Sequence, residues 1–389
     1  VWLSMNILQG CVRYPPAPGG AETVVKAYSE GLRDLGHNVE VITTDLYTET
    51  PFVKKEMPKK VNGINVTRHK AFTVSGEAHY VLAPGMVQSF LTKKADVIHT
   101  HSYGYFQNHA GWIRERFQST PWVITPHFHP SWSMWGGSKR KTLREFYDTV
   151  IGKGTLETAD LITCVSKHEK DMLVSEIGIS EDNIKIIFNG INWEDWKEIP
   201  DARKFRKKYP HVSERFVLFA GRLATNKGIP DLIEAMQLEG SQRFDLVVMG
   251  ADMGLGVDLD KLSISKNVKM HRIGHVDDEL YRSALSAAEV LVLPSEYEAF
   301  GIVLLEAAAA HTPVVATNVG GIPEAMSENN NGLLVDFSDP EALSKAIFLV
   351  LDDDSMRKEM GSFGRKFSKD FSWSKIVNSV EQEYNFLLG

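Results

Sequence analysis

The chain has 389 residues, 43% of them apolar and 24% charged, with a formal net charge of −7. No run of about eighteen apolar residues occurs, so no spanning helix is expected. The acidic balance argues against nucleic acid as a main partner, because affinity for a phosphate backbone needs clustered lysine and arginine.

The length exceeds one ordinary core and implies two domains. Residues 1–190 carry 21 Lys and Arg against 19 Asp and Glu, whereas residues 191–389 carry 22 against 31. That leaves a peripheral membrane contact open for the first half. Cys11 and Cys164 show no metal or redox spacing, which suggests a reduced, cytoplasmic chain. Residues 1 to 4 hold neither a basic nor a long apolar stretch, so no leader is expected.

In chain order, residues 5–12 are strand-like and 15–20 form a stiff turn ending in two glycines. A helix begins by Glu22 and stops at Gly36, and 39–43 is the next strand. Further strands are predicted at 66–68, 96–99, 122–125, 161–165 and 184–187. After a charged helix near 201–208 the pattern restarts, with strands at 216–220, 246–249, 268–271, 290–293 and 314–317 and closing helices at 340–352 and 374–388. Strands separated by helices imply α/β domains with mostly parallel, doubly wound sheets. The boundaries expected are 1–195 and 196–373 for two Rossmann-like domains, with 374–389 as a last helix.

Residues 290–324 are the most informative. A buried strand ended by Pro294 and a polar loop lead into residues 300–310, which are apolar or alanine on nearly every face and suit a helix buried on more than one side. Glu306 is the only ionisable side chain of that helix, and an unpaired buried charge costs roughly several kcal/mol. A ligand at the helix N-terminus would meet Glu298 before the helix and Glu306 inside it. The amides of Phe300, Gly301, Ile302 and Val303 would favour a phosphate there. The plain alternative is a surface-loop glutamate and a second one at the exposed edge of an alanine-rich helix.

Ligands of doubly wound sheets bind at the carboxyl ends of the strands. The second half carries Gly221-Arg222 and Lys227-Gly228 there, a planar fork and a point charge that suit a diphosphate. It also carries Gly250, whose bare backbone admits a planar ring. The first half offers Gly19-Gly20, with backbone N–H groups for the same cleft, and His127 just past a strand end, with His129 as a competitor. Each fragment also has an ordinary reading: solvated charges, a tight turn, a histidine satisfied in its own loop.

Together these fragments make the chain resemble, along almost its whole length, the family-four retaining glycosyltransferases of the GT-B fold. The resemblance rests on Gly19-Gly20 with Glu22, on residues 96–101 (DVIHTH), on Val165-Ser166, on residues 189–191, and on Gly221-Arg222 with Lys227-Gly228. It rests most on Glu298-Ala299-Phe300-Gly301 with Glu306, an E-x7-E signature, and is completed by residues 320–324 (GGIPE) and 371–373 (FSW). It implies that Arg222 and Lys227 hold a donor diphosphate, Glu306 the ribose hydroxyls and Glu298 a hydroxyl of the transferred sugar. The amides of Phe300 to Val303 would contact sugar and phosphate, Gly20 would approach the phosphate, and His127 would touch the sugar near its anomeric centre. The last helix would pack back on the first domain.

The chemistry fits those roles. Breaking the bond from anomeric carbon to phosphate leaves an oxocarbenium-like sugar and a growing negative charge, and a preorganised donor beside such charge contributes roughly 3 kcal/mol. No cofactor and no obligatory metal are expected, since Asp258 and Asp260 lie away from any strand end and residues 352–354 look like a solvated helix end. Retention of configuration is implied by the resemblance alone; with no carboxylate placed near the sugar on the first domain, a front-face mechanism is preferred over a covalent intermediate.

The acceptor is expected to be a glycan, lipid-linked or small-molecule hydroxyl. Phe128, Trp132 and Trp135 interleaved with Lys139, Arg140 and Lys141 would suit sugar rings or an anionic lipid surface, or form a small hydrophobic cluster beside a solvated helix start. Two other classes share the phosphate residues: a nucleotide-sugar epimerase or isomerase, and a non-catalytic nucleotide-sugar-binding protein.

Overall fold

The computed structural model describes residues 4–49, 51–74, 77–130, 138–238 and 243–389. The chain divides into two compact units, Val1–Asn189 with Trp373–Gly389, and Gly190–Ser372.

Unit 1 is built on an eight-stranded sheet. Its strands are β1 (Asn6–Gly10), β2 (Asn38–Thr44), β3 (Lys60–Val61), β4 (Ile64–His69), β5 (Val97–His101), β6 (Trp122–Thr125), β7 (Leu161–Cys164) and β8 (Ile184–Ile186). Their spatial order is β8-β7-β6-β5-β1-β2-β4-β3, and every pairing is parallel except the β3–β4 hairpin at one edge. Helix α1 (Gly20–Asp34) follows β1, and the last helix of the chain, α6 (Trp373–Leu388), packs against it within this unit. The close approach depends on Gly31, where a Cβ would sit 2.7 Å from Val377 Cγ2.

Unit 2 repeats the plan with β9 (Phe216–Ala220), β10 (Asp245–Met249), β11 (Met270–Ile273), β12 (Val290–Leu293), β13 (Val314–Thr317) and β14 (Gly332–Val335), ordered β11-β10-β9-β12-β13-β14, all parallel. Every residue of β9, β10, β12 and β13 is buried. Strands covered on both faces read as continuous apolar runs, and these four are the ones most plainly marked in the sequence.

In both units the strand order reverses once, between β1 and β5 and between β9 and β12. Connections leave toward opposite faces of the sheet at that point, so a crevice opens beyond the carboxyl ends of the two strands.

The structure adds elements that the pattern does not announce. β3, two small antiparallel hairpins (Leu46–Thr48 with Val53–Lys54, Phe72–Val74 with Glu77–Leu82), β14 and the helix Asp354–Ser368 were not expected. The first are two to six residues long. β14 opens on Gly332 directly after three asparagines, a run that reads as turn, and Gly361 and Gly364 dilute the apolar stripe of the helix.

Candidate functional site

In unit 2 the loops after β9, β10, β12 and β13 emerge on one side of the sheet and are stitched together by backbone hydrogen bonds. Gly221 N donates to Met249 O (2.9 Å), Glu296 N to Asn226 O (3.0 Å) and Gly321 N to Glu298 O (2.9 Å). Glycine is what lets them approach. At Gly320, with φ 55°, a Cβ would meet Glu298 O at 2.0 Å, and at Gly250 it would meet Gly221 O at 1.9 Å. The chain's own neighbouring backbone thus already calls for a glycine at 250.

Across the strand-order reversal, Lys227 Nζ from the loop after β9 lies 2.5 Å from Glu298 Oε1, in the loop after β12. The same carboxylate oxygen accepts from Ser295 Oγ at 2.8 Å. Both side chains of the ion pair are largely withdrawn from solvent. Arg222, two residues past β9, is exposed and its guanidinium makes no hydrogen bond or ion pair with a described residue.

Residue Gly301, with φ 92°, caps the next helix, α5 (Ile302–Ala309). It starts two residues later than the apolar run suggests, because Phe300 is packed in the core as a lead-in residue. Ile302 and Val303 occupy its first turn, and Glu306 lies on its second. The partner that Glu306 needed is Tyr281, from helix α4 (Asp278–Ala287): its hydroxyl donates to Glu306 Oε2 at 2.5 Å. Burial pushes the Glu306 carboxyl up to about 7, against the opposing pull of the Tyr281 hydrogen bond. Tyr281 carries no signal in the sequence.

The remaining site residues singled out in the sequence belong to unit 1. Gly19 and Gly20 lead into α1 beyond β1. A Cβ on Gly19 would strike the Glu22 carboxylate at 1.9 Å, whereas around Gly20 nothing lies within 4 Å. Glu22 itself is buried and pairs with Arg13 (2.8 Å), which also reaches Glu49 (3.3 Å).

His127 follows β6 and holds a left-handed backbone, φ 45°. Two side chains fix its loop. Phe128 N donates to Glu169 Oε1 at 2.5 Å, and Arg144 Nη2 donates to His129 O at 3.0 Å. Glu169 belongs to helix α2 (Lys167–Met172), whose N-cap Ser166 accepts from Glu169 N, and its Oε2 accepts from Val165 N at 2.6 Å. The Ser-x-x-Glu spacing is a capping-box signal present in the sequence; its reach to the His127 loop is not. His127 Nε2 is buried without a hydrogen-bond partner among the described residues, and burial, with His129 adding to it, lowers this histidine to about 4. His129 is exposed. Trp132 and Trp135 lie outside the described residues.

Asp258 and Asp260 lie on helix α3 (Gly256–Ser265), where Asp260 is bound by Arg272 at 2.8 Å. Asp353 caps the following helix, accepting from Met356 N. Among the described residues, no helix is long and apolar enough to cross a membrane.

Comparison with known proteins follows the division into units. The profile of the glycosyl transferases of group 1 matches residues 201–367, and that of glycosyltransferase family 4 matches residues 18–195. An uncharacterized glycosyltransferase of Methanocaldococcus jannaschii is 30% identical over 408 aligned positions, covering 99% of each chain. Among solved structures, sucrose-phosphate synthase from Thermosynechococcus elongatus superposes with a TM-score of 0.82 at 24% identity, covering 98% of this chain and 99% of that one. Anabaena HepE, in complex with UDP and glucose, does so with a TM-score of 0.78 at 21% identity, over 98% and 99%.

Proposed function

This chain belongs to the group 1 glycosyl transferases, with two Rossmann-like domains of the GT-B kind, and we propose that it is a retaining, metal-independent hexosyltransferase acting in the cytoplasm. It takes a hexose-type sugar from a UDP- or GDP-linked donor and passes it to a hydroxyl of a glycan, lipid-linked or small-molecule acceptor. The observation that carries this reading is the Lys227–Glu298 pair spanning the strand-order reversal of unit 2, with Arg222 in the same loop as Lys227.

In this reading the donor diphosphate draws Lys227 away from Glu298 and gains Arg222, and the released Glu298 carboxylate accepts a hydroxyl of the sugar. The first-turn amides of Ile302 and Val303 add the positive end of a helix. Glu306 accepts a ribose hydroxyl on Oε1 while Tyr281 holds Oε2. Gly250 lies by the base, and Gly20, with open space where a side chain would be, admits a phosphate oxygen. His127 Nε2 gains a partner in a sugar hydroxyl. When the anomeric C–O bond breaks, its electron pair goes to the phosphate oxygen, where Arg222 and Lys227 offset the charge. The acceptor oxygen then bonds to the anomeric carbon on the face just vacated, and its proton passes to that phosphate oxygen. A nucleotide-sugar donor is supported by HepE, solved both with UDP and glucose and with UDP-glucose.

Incubating the protein with a panel of nucleotide sugars, with and without acceptors and with a chelator, tests the reading. Nucleoside diphosphate release that depends on acceptor and survives chelation, with an α-donor giving an α-product, is the expected result. Interconversion without release would assign an epimerase, and saturable binding without chemistry a sensor. A contact with the membrane surface through the helix Ser138–Tyr147 is part of the proposal, supported by the exposed Leu143 and Phe146 on one side of it.

A further inference from the structure

Behind His127, within unit 1, three imidazoles stand in a row. His99 and His101 of β5 stack at 4.2 Å between centroids with 22° between planes, and His101 and His127 follow at 5.9 Å and 21°. His99 and His101 are fully buried, on one face of the sheet because they are two residues apart. That face is covered by α6, which brings in Tyr384, also fully buried.

The Tyr384 hydroxyl lies 2.6 Å from His99 Nδ1 and 3.3 Å from Gln9 Nε2; His99 Nε2 lies 2.7 Å from Thr125 Oγ1, and His101 Nε2 lies 2.8 Å from Gln9 Oε1. A phenol has one proton, so these contacts admit two directions around the circuit. In the first, the Gln9 amide donates to Tyr384, Tyr384 donates to His99 Nδ1, and His101 donates from Nε2 to the Gln9 carbonyl. In the second the Gln9 amide is turned over: His99 donates from Nδ1 to Tyr384, Tyr384 donates to the Gln9 carbonyl, the Gln9 amide donates to His101 Nε2, and His101 carries its proton on Nδ1. His101 Nδ1 is buried without a partner. The second direction would leave a buried N–H donor unused and the first only a lone pair, and unused buried donors are the rarer case in folded proteins. The short contact from phenol to imidazole and the long one from amide to phenol fit the first direction as well.

We propose that Tyr384 is a positioning residue for sugar transfer: acting through Gln9, it fixes the Nε2–H tautomer of His101, whose ring seats His127. Helix α6 thereby sets the state of a group on β5, far from it in sequence. This inference rests on the reading that His127 touches the transferred sugar.

The test is Tyr384→Phe in the full chain, which keeps the ring and removes the hydroxyl. In ¹⁵N–¹H long-range correlation spectra of histidine-labelled protein, with the His101 signals identified by their loss in His101→Gln, the wild type shows His101 protonated at Nε2. Tyr384→Phe shifts it toward Nδ1–H. Turnover falls roughly fivefold to tenfold, the range of one lost hydrogen bond, with the donor KM within about twofold, since the donor residues of unit 2 are untouched. Gln9→Met, which removes the same link from the other side, gives the same shift and covers the case in which Tyr384→Phe fails to fold. An unchanged His101 tautomer in either folded variant overturns the proposal, and so does an unchanged turnover number. A wild type with the stated tautomer but no transfer from any donor would instead fail the functional reading and leave the circuit standing.

Discussion

Lys227 and Glu298, 71 residues apart in sequence, form an ion pair at 2.5 Å across the strand-order reversal of unit 2. Each half-neutralises the other until a ligand with its own negative charge competes for the ammonium. Lys227→Ala is expected to lower kcat by on the order of a hundredfold, the usual effect of losing one preorganised donor at a developing charge. It also weakens nucleoside diphosphate binding in calorimetry. Glu298→Gln keeps a partner for Ser295 but frees Lys227, so it should bind the bare diphosphate at least as tightly as wild type while losing turnover. Unchanged diphosphate affinity in Lys227→Ala would sink the assignment.

Much of this site was legible because it sits where sequence is least ambiguous. β9, β12 and β13 are short, continuous apolar runs, and the residues just past them are few enough to weigh singly. Lys227 and Glu298 could be named as candidates but not as partners, since pairing depends on which strands are neighbours. Tyr281 and Arg144 were not legible at all, and Glu169 only as the partner of its N-cap serine. Each acts through a carboxylate, a hydroxyl or a guanidinium that reaches a distant loop, and nothing in local periodicity marks such a reach. α5 starts two residues later than its apolar run predicts because a buried lead-in residue such as Phe300 is as apolar as a helical one.

The pH response of donor binding should follow Glu306, whose carboxyl burial raises to about 7. In the proposed role, the carboxylate would accept a ribose hydroxyl well and the protonated acid poorly. The donor KM is therefore expected to rise as pH falls from 8 through about 7 to 6, and Glu306→Gln should show a higher, flatter KM over that window. Stability moves the opposite way. A folded-state value above that of the unfolded chain means that folded protein holds the extra proton, so this group favours folding most at low pH and loses that contribution as pH rises through about 7. Glu306→Gln should raise Tm relative to wild type at pH 8 and much less at pH 5.

The histidine row gives the reverse trend at lower pH. Burial first, then the neighbouring imidazoles, lowers His99 to about 3 and His101 well below its ordinary value. Both stay neutral in the folded chain and take up protons on unfolding, so stability is complete above about pH 6.5 and lost below it. Each contributes a slope of about 1.4 kcal/mol per pH unit. His127, lowered to about 4, adds to the same slope, and between about pH 4.5 and 6.5 Glu306 offsets one of the three. Calorimetric melting from pH 7 to 4 should show a fall in Tm that is shallower in His101→Gln; equal slopes would argue against a neutral buried pair.

Gly320 and Gly20 are glycines for different reasons, and alanine separates them. A Cβ on Gly320 meets the Glu298 carbonyl at 2.0 Å from a left-handed backbone, φ 55°. Gly320→Ala should cost at least about 1–3 kcal/mol and displace Glu298, lowering Tm and turnover together. Gly20 opens α1 with nothing within 4 Å of its missing Cβ. Gly20→Ala should leave Tm unchanged or slightly higher, since alanine suits a helix better by about 0.5–1 kcal/mol. Its turnover should still fall, because the added methyl occupies the space the donor phosphate would use. Full activity in a stable Gly20→Ala protein would remove Gly20 from the site.

The helix Ser138–Tyr147 carries the exposed apolar pair Leu143 and Phe146, three residues apart and so on one side of it, and Val150 is exposed in the π-helical turn Asp148–Gly152 that follows. Lys139, Arg140 and Lys141 precede it in sequence. An apolar stripe beside clustered basic residues is the composition of a segment that lies in a membrane interface, each basic residue contributing about 1 kcal/mol near an anionic surface. Sedimentation with vesicles should therefore show binding when anionic lipid is present and little with neutral lipid alone. Exchanging Lys139, Arg140 and Lys141 for alanine should lower partitioning on the order of a hundredfold. High salt should do the same to wild type, because charge at a surface is screened within about a Debye length. Replacing Leu143, Phe146 and Val150 by serine should abolish the salt-resistant part of binding while leaving turnover on a soluble acceptor unchanged, which separates docking from chemistry. Equal sedimentation with and without anionic lipid, in wild type and in both triple variants, would mean that this surface serves no membrane.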